Sequence, residues 1–280
     1  MLYYNNPTIS SLKSFYYKRF KSIFPMFYIA FFIMYMIKAI YTHDFLYGGN
    51  PVKLLLTLFG LDGYFLYLIP NYYLIGEWFL GAIVLLYAIY PVLLKAFNKS
   101  VLITTLLAFC LYATVFIPGL YKIDARCNLF SCLISFVLGM VLMKYRSIWH
   151  KKAVVFLVSL FVSVVIIFVK LDFIHENICN HILAISLFFV FSYIGELIMK
   201  NKVLLKVFSE LSGLSYAIFL IQHIVINFAL KFYMPTNDLL AVCLLLAIIA
   251  ITIVFAKLLT LVNNKLLKSP IIKKLDTVFL

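Results

Sequence analysis

Three groups of side chains in this 280-residue chain have types and spacings that could do chemistry. Lys18, Arg19 and Lys21 crowd cations onto one short segment, where they could clamp the phosphates of a nucleotide-like donor. Anchoring on anionic lipid head groups is the simpler explanation of these residues taken alone. Glu77 and Trp78 open an apolar run after Asn71-Tyr72-Tyr73-Leu74-Ile75-Gly76. A carboxylate there suits the helix dipole and a tryptophan suits the membrane interface, so the pair could be an anchor. Facing a wet cavity, the same carboxylate could orient a sugar hydroxyl or hold a histidine. Gln222 and His223 lie side by side within the apolar run from Leu214 to Ile226. Either they line a cavity, or His223 is a neutral ring hydrogen-bonded between helices.

Other polar residues have plainer readings. Asp62, in Gly60-Leu61-Asp62-Gly63, is explained by turn chemistry, and Asp124 with Arg126 by a surface ion pair. Glu196 is expected to snorkel from a helix end or to pair with Lys200 four residues on. The five cysteines lack zinc-type or paired spacing and read as small packing residues; a disulfide between Cys127 and Cys179 is not expected. No Walker loop, GxSxG elbow or HExxH helix occurs, so a hydrolase, an ATPase or a zinc enzyme has no support, and neither a bound cofactor nor a metal is expected.

These residues must be positioned by membrane helices. At 65% hydrophobic and 12% charged, the chain has more apolar surface than a soluble core of its length could bury. Apolar runs able to cross roughly 30 Å of hydrocarbon extend over Ile23 to Tyr41, Trp78 to Leu94, Val101 to Ile117, Leu129 to Met143, Val154 to Val169, Ile178 to Met199, Leu211 to Leu230 and Leu239 to Val262. They predict an all-α polytopic transmembrane bundle of about eight crossings, read as one membrane-embedded domain over residues 1–280. His223, twelve residues beyond Leu211, would stand about 18 Å along its helix, past the midplane.

A ninth run, Leu54 to Pro70, is broken by the Gly60 to Gly63 turn. If it does not cross, the basic residues Lys18, Arg19, Lys95, Lys144, Arg146 and Lys200, with most of the others, fall on one side of the membrane. If it crosses, every later loop changes sides, against the positive-inside bias. The run therefore reads as a re-entrant or interfacial segment, with both termini in the cytoplasm. The formal charge of +14 is spread over short clusters between apolar runs, which insertion and lipid head groups explain without nucleic acid. The basic cluster abuts the first apolar run with no small-residue cleavage site before it, which argues against a removable signal peptide.

Three segments, in order, resemble the multi-pass membrane O-acyltransferases known as the acyltransferase 3 family. Phe15-Tyr16-Tyr17-Lys18-Arg19-Phe20-Lys21-Ser22-Ile23-Phe24-Pro25 is similar to the family's basic aromatic lead ending in proline. Trp78-Phe79-Leu80 through Tyr87 to Pro91 matches its tryptophan placed thirteen residues before a proline. Ser215-Tyr216, Phe219-Leu220 and Gln222-His223 match its Ser-Tyr-x-x-aromatic-Leu-x-polar-His pattern.

The resemblance implies transfer of an acyl group, commonly acetyl, from cytoplasmic acyl-CoA to a hydroxyl on a carbohydrate or other cell-envelope acceptor, at the plasma membrane. Lys18, Arg19 and Lys21 would hold donor phosphates. Trp78, Glu77, Gln222 and His223 would line the acceptor side, with Tyr216 packing or hydrogen-bonding among them, and His223 and Glu77 are the catalytic candidates. Two departures stand out: Ile83 and Val84 occupy positions where many relatives carry an acidic pair, and relatives begin with two further helices, the first bearing an arginine and a histidine thought to be the general base. Those helices lie outside this sequence and would bring the crossings to ten, so the chain is expected to be N-terminally shortened. The competing class is a non-catalytic partner or carrier of envelope glycans, which would call for a continuous polar pathway rather than the scattered polar groups seen.

Overall fold

The computed structural model describes residues 8–9, 11–76, 78–169, 171 and 173–279, with the backbone alone of Ile271. Among these residues there is no strand. Helix α1 (Leu12–Thr42) is followed by a single 3-10 turn (Pro51–Lys53) and two short helices, α2 (Leu54–Leu58) and α3 (Asp62–Phe65). Then come α4 (Trp78–Lys99), α5 (Val101–Thr114), α6 (Leu129–Lys144), the one-turn α7 (Arg146–Trp149), α8 (Ala153–Phe168), α9 (Glu176–Ile198), α10 (Lys202–Phe232), α11 (Asp238–Leu267) and α12 (Pro270–Phe279).

Each of the eight apolar runs coincides with one helix. Helices α1, α4, α9, α10 and α11 are long and apolar enough to span a bilayer. Helices α5, α6 and α8 have 14, 16 and 16 residues, or about 21–24 Å of rise. The run from Val101 was expected to continue to Ile117, but the helix stops at Thr114, ahead of Pro118, whose ring disfavours helical backbone in the preceding residue. The starts are set by side chains that accept an otherwise orphaned amide: Ser100 Oγ from Ile103 N, Asn128 Oδ1 from Phe130 N and Asn237 Oδ1 from Leu240 N.

Contacts divide the chain into two compact units, a terminal unit of Ile9–Val92 with Leu211–Leu280 and a central unit built on Leu93–Glu210. In the terminal unit, Phe15 stacks on Tyr90, Tyr16 Oη donates to the Ala88 carbonyl at 2.8 Å, and Arg19 lies over Tyr87. Farther along, Phe24 and Leu80 meet over Gly60. The partners descend along α4 as they ascend along α1, so the two helices are antiparallel. A crossing segment between them would have made them parallel; residues 54–70 instead form α2, α3 and turns, as the charge bias predicted.

The core of this unit packs Phe27, Ala30 and Phe31 of α1, Tyr72 and Ile75 of the loop before α4, Leu80 of α4, Ala217 and Leu220 of α10 and Ala256 of α11. Lipid tails are as apolar as these side chains, so close packing and hydrogen bonds hold the helices rather than removal of surface from water. Asp62, read from the sequence as a turn residue, is fully buried. It begins α3 with 0% exposure, and neither carboxylate oxygen has a hydrogen-bond partner among the described residues. Thr57 and the Tyr72 backbone stand near it without reaching hydrogen-bond geometry.

The central unit is tied by polar side chains. Tyr112 Oη donates to Asn177 Oδ1 at 2.6 Å, and the His181 ring nitrogens face the carbonyls of Asn177 at 2.7 Å and Ser131 at 3.0 Å. Glu196 corrects a local expectation: in place of Lys200, its carboxylate meets His150 at 3.4 Å and Arg146 and Lys151 at 3.6 Å. The α6–α8 connection delivers two cations and an imidazole to it, and together they outcompete a single neighbour one turn away. The expected surface pair is present, with Arg126 Nε 3.1 Å from Asp124 Oδ1. No disulfide joins the cysteines among the described residues.

Candidate functional site

The three sequence segments that point to chemistry all fall in the terminal unit, where α1, α4, α10 and the loop before α4 carry them. Pro25 lies inside α1, so the Lys21 carbonyl lacks the amide that an unbroken helix would offer it. The cations sit on the turns just before this interruption. Lys18 is exposed, while Arg19 is half-buried, its guanidinium 5.6 Å from the Phe15 ring centre and 5.7 Å from that of Tyr87. Two rings at such distances attract and orient a cation. Arg19 Nε is buried without a hydrogen-bond partner among the described residues. Lys21 is held, its Nζ 2.6 and 2.7 Å from the Asp276 carboxylate oxygens.

Helix α10 meets the other segments in succession. Tyr216 Oη donates to the Ile23 carbonyl at 3.2 Å, just before Pro25. One turn on, the Phe219 ring stacks at 6.4 Å on Tyr216 and meets Phe79 edge-on at 5.9 Å, and Phe79 in turn touches Trp78 at 5.8 Å. A further turn on, His223 lies against Gly76. A Cβ placed on Gly76 would stand 2.5 Å from His223 Cδ2 and 2.9 Å from Cγ, and Gly76 has φ +77°, which favours glycine. Only a bare Cα lets the imidazole sit there. Gln222 and His223 are both half-buried.

Glu77 lies outside the described residues; its neighbours Gly76 and Trp78 frame it. Ile83 and Val84, at the positions of the family's acidic pair, pack against the apolar core. The site thus unites Arg19, Tyr216, Trp78 and His223 on one scaffold, with Lys18 exposed at its edge and Lys21 engaged by another helix. A cavity of about 310 Å³ lies elsewhere, in the central unit between α6 and α9, with apolar walls including Met140 and Phe188 and one imidazole, His181. Both of that ring's nitrogens face carbonyls, so it serves packing between the two helices.

The sequence did not disclose Gly76 as the seat of His223, since a glycine ending a polar turn reads only as a turn. Nor did it pair Tyr87 with Arg19, although both belong to the segments singled out. The usable signal for Asp276 was its place as the one carboxylate among the lysines of the last helix.

Among the described residues no three His, Cys, Asp or Glu side chains converge as metal ligands. A family model described as an acyltransferase domain matches residues 2–260. No curated protein and no solved structure matches the chain.

Proposed function

We propose, from the premise that this chain belongs to the acyltransferase 3 family of multi-pass membrane acyltransferases, that it moves an acetyl or similar acyl group from acyl-CoA to a hydroxyl of a carbohydrate or other envelope acceptor. Its setting is the plasma membrane, with both termini in the cytoplasm. The observation that carries this reading is the meeting of three distant segments: Tyr216 on the Ile23 carbonyl, Phe219 on Phe79 and His223 on Gly76.

The spacing favours a long donor. Tyr216 sets α10 level with Ile23, four residues past Arg19, and His223 lies seven residues farther along α10. At 1.5 Å per residue the cations and the imidazole are about 16 Å apart along the helices. A donor gripped by its phosphates must reach across that span to react beside His223. Acyl-CoA has such an arm between its phosphates and its thioester; a small acyl phosphate has none.

In this scheme Lys18, Arg19 and Lys21 bind phosphate oxygens, with Arg19 oriented by Phe15 and Tyr87. His223 accepts the proton of the acceptor hydroxyl as its oxygen attacks the thioester carbonyl carbon. The carbon–sulfur bond breaks, the sulfur leaves as thiolate, and the imidazolium returns the proton to it. The products are an ester and coenzyme A thiol, and the imidazole is neutral again. Glu77 is assigned the task of orienting His223 or the acceptor hydroxyl.

The test is transfer of radiolabel from acetyl-CoA to envelope glycan by the full chain in proteoliposomes. His223→Ala should lower transfer by about 10²- to 10⁴-fold, the usual worth of a positioned general base. Arg19→Gln should raise the KM for acetyl-CoA with a smaller change in kcat. No transfer by the wild-type chain would return it to the reading of a non-catalytic envelope partner.

A further inference from the structure

Helix α12 lies beyond residue 260, where the family match ends, and it returns to the basic face of α1. Ser269 Oγ accepts from Ile272 N and Pro270 supplies the first turn, so the helix starts just after α11 stops. Ile272, Asp276 and Phe279 recur at i, i+4 and i+7, one face of the helix. On that face Phe279 stacks on Tyr17 at 4.9 Å, with the Lys13 ammonium 4.5 Å from its ring centre. Asp276 accepts two hydrogen bonds from Lys21 Nζ, at 2.6 and 2.7 Å, and one from Tyr17 Oη at 3.0 Å. Lys18 and Arg19 take no part in these bonds.

A lysine ammonium has three N–H donors, and the Asp276 carboxylate holds those that face it. A phosphate entering the same cluster needs the same hydrogens, and it meets a carboxylate of like charge. We propose that Asp276 is an affinity-determining residue of the donor edge: α12 withholds Lys21 from the donor phosphates, and donor binding exchanges the carboxylate for a phosphate. The inference rests on the reading of Lys18, Arg19 and Lys21 as a phosphate clamp. The Lys21 hydrogen bonds hold the Asp276 carboxyl below its ordinary pKa, so it is ionised and competent to compete at neutral pH. Docked α12 leaves two of the three cations for a ligand, and exchange restores the third.

The experiment titrates free coenzyme A into the purified full chain in nanodiscs of neutral lipid, followed by calorimetry. Asp276→Asn keeps the side chain's shape and removes its charge; it should bind coenzyme A roughly twofold to fivefold more tightly, the range open to a partly exposed ion pair. Asp276→Glu should behave as wild type. Lys21→Gln should bind more weakly, and adding Asp276→Asn to it should gain less than the same substitution gains in the wild-type background. Coenzyme A should also speed tryptic cleavage after Lys273 and Lys274 in the wild type, as α12 leaves α1. Equal or weaker binding by Asp276→Asn overturns the inference and leaves the proposed function standing. Binding by neither protein overturns the proposed function, and this inference with it.

Discussion

The two units handle polarity in opposite ways. In the central unit, polar side chains answer one another at the heart of the helix pairs, as Tyr112, Asn177 and His181 do. Helix α8 buries only Ser159 and Ser163, and turns Val154, Phe161 and Phe168 outward at 72%, 69% and 79% exposure. Small polar residues inside and large apolar ones outside is how helices associate in lipid. In the terminal unit the core cluster is aromatic and aliphatic, Asp62 is buried beside it, and the candidate polar groups are held chiefly by rings and close backbone. Arg19 keeps an Nε without a hydrogen-bond partner among the described residues, near two rings, and His223 rests its carbon face on Gly76. Polar groups that satisfy each other hold a membrane protein together; those held in place by apolar neighbours remain available to a ligand.

Substitutions can break that contrast, and the largest effect is expected at a glycine. Gly76→Ala sets a methyl against His223 at positive φ and should cost about 1–3 kcal/mol, through overpacking and backbone strain. It should also depress acyl transfer by displacing the imidazole. Gly139→Ala in the central unit meets nothing within 4 Å and should stay within about 0.5 kcal/mol of wild type. Thermal unfolding in detergent checks both.

Next is the hydrogen-bond pair that the contrast predicts to be structural. Tyr112→Phe removes the bond to Asn177 and should destabilise by about 1 kcal/mol while leaving transfer unchanged. Tyr216→Phe removes the bond to the Ile23 carbonyl at a similar or smaller cost, yet should lower transfer because it frees α10 from α1. Equal effects on activity would erase the distinction between the units.

The smallest effect concerns pH. The Asp276 carboxyl is held below its ordinary value by the hydrogen bonds from Lys21, with Tyr17 adding to them. Its contribution to α12 docking is therefore complete above the ordinary carboxylate range and is lost as pH falls through the depressed value. Tryptic sensitivity of Lys273 and Lys274 should stay constant from neutral pH to mildly acidic pH; hydrogen exchange in α12 should then rise at lower pH in wild type and not in Asp276→Asn.

Much of this architecture was legible in the residues. Uninterrupted apolar length located the eight helices, and the distribution of lysines and arginines around Leu54 to Pro70 anticipated the antiparallel pairing of α1 with α4. The site segments were legible because each pairs chemistry-bearing residues with an apolar run. What escaped were contacts made across the fold. Glu196 chose Arg146, Lys151 and the His150 ring from the α6–α8 connection over Lys200, because tertiary neighbours brought more partners than an adjacent helical turn. Asp62 reads as a turn residue until Tyr72 and Asn71 fold over it; Asn71 Nδ2 donates to its backbone carbonyl at 2.8 Å. The return of Asp276 to Lys21 joins positions 255 residues apart, beyond any periodicity.

The most direct test compares label transfer from acetyl-CoA to envelope glycan by the wild-type chain, His223→Ala and Tyr112→Phe, each reconstituted at equal, verified insertion. The account predicts transfer by the wild type and by Tyr112→Phe, and its loss in His223→Ala. Undiminished transfer by His223→Ala, or none by the wild type, would contradict it.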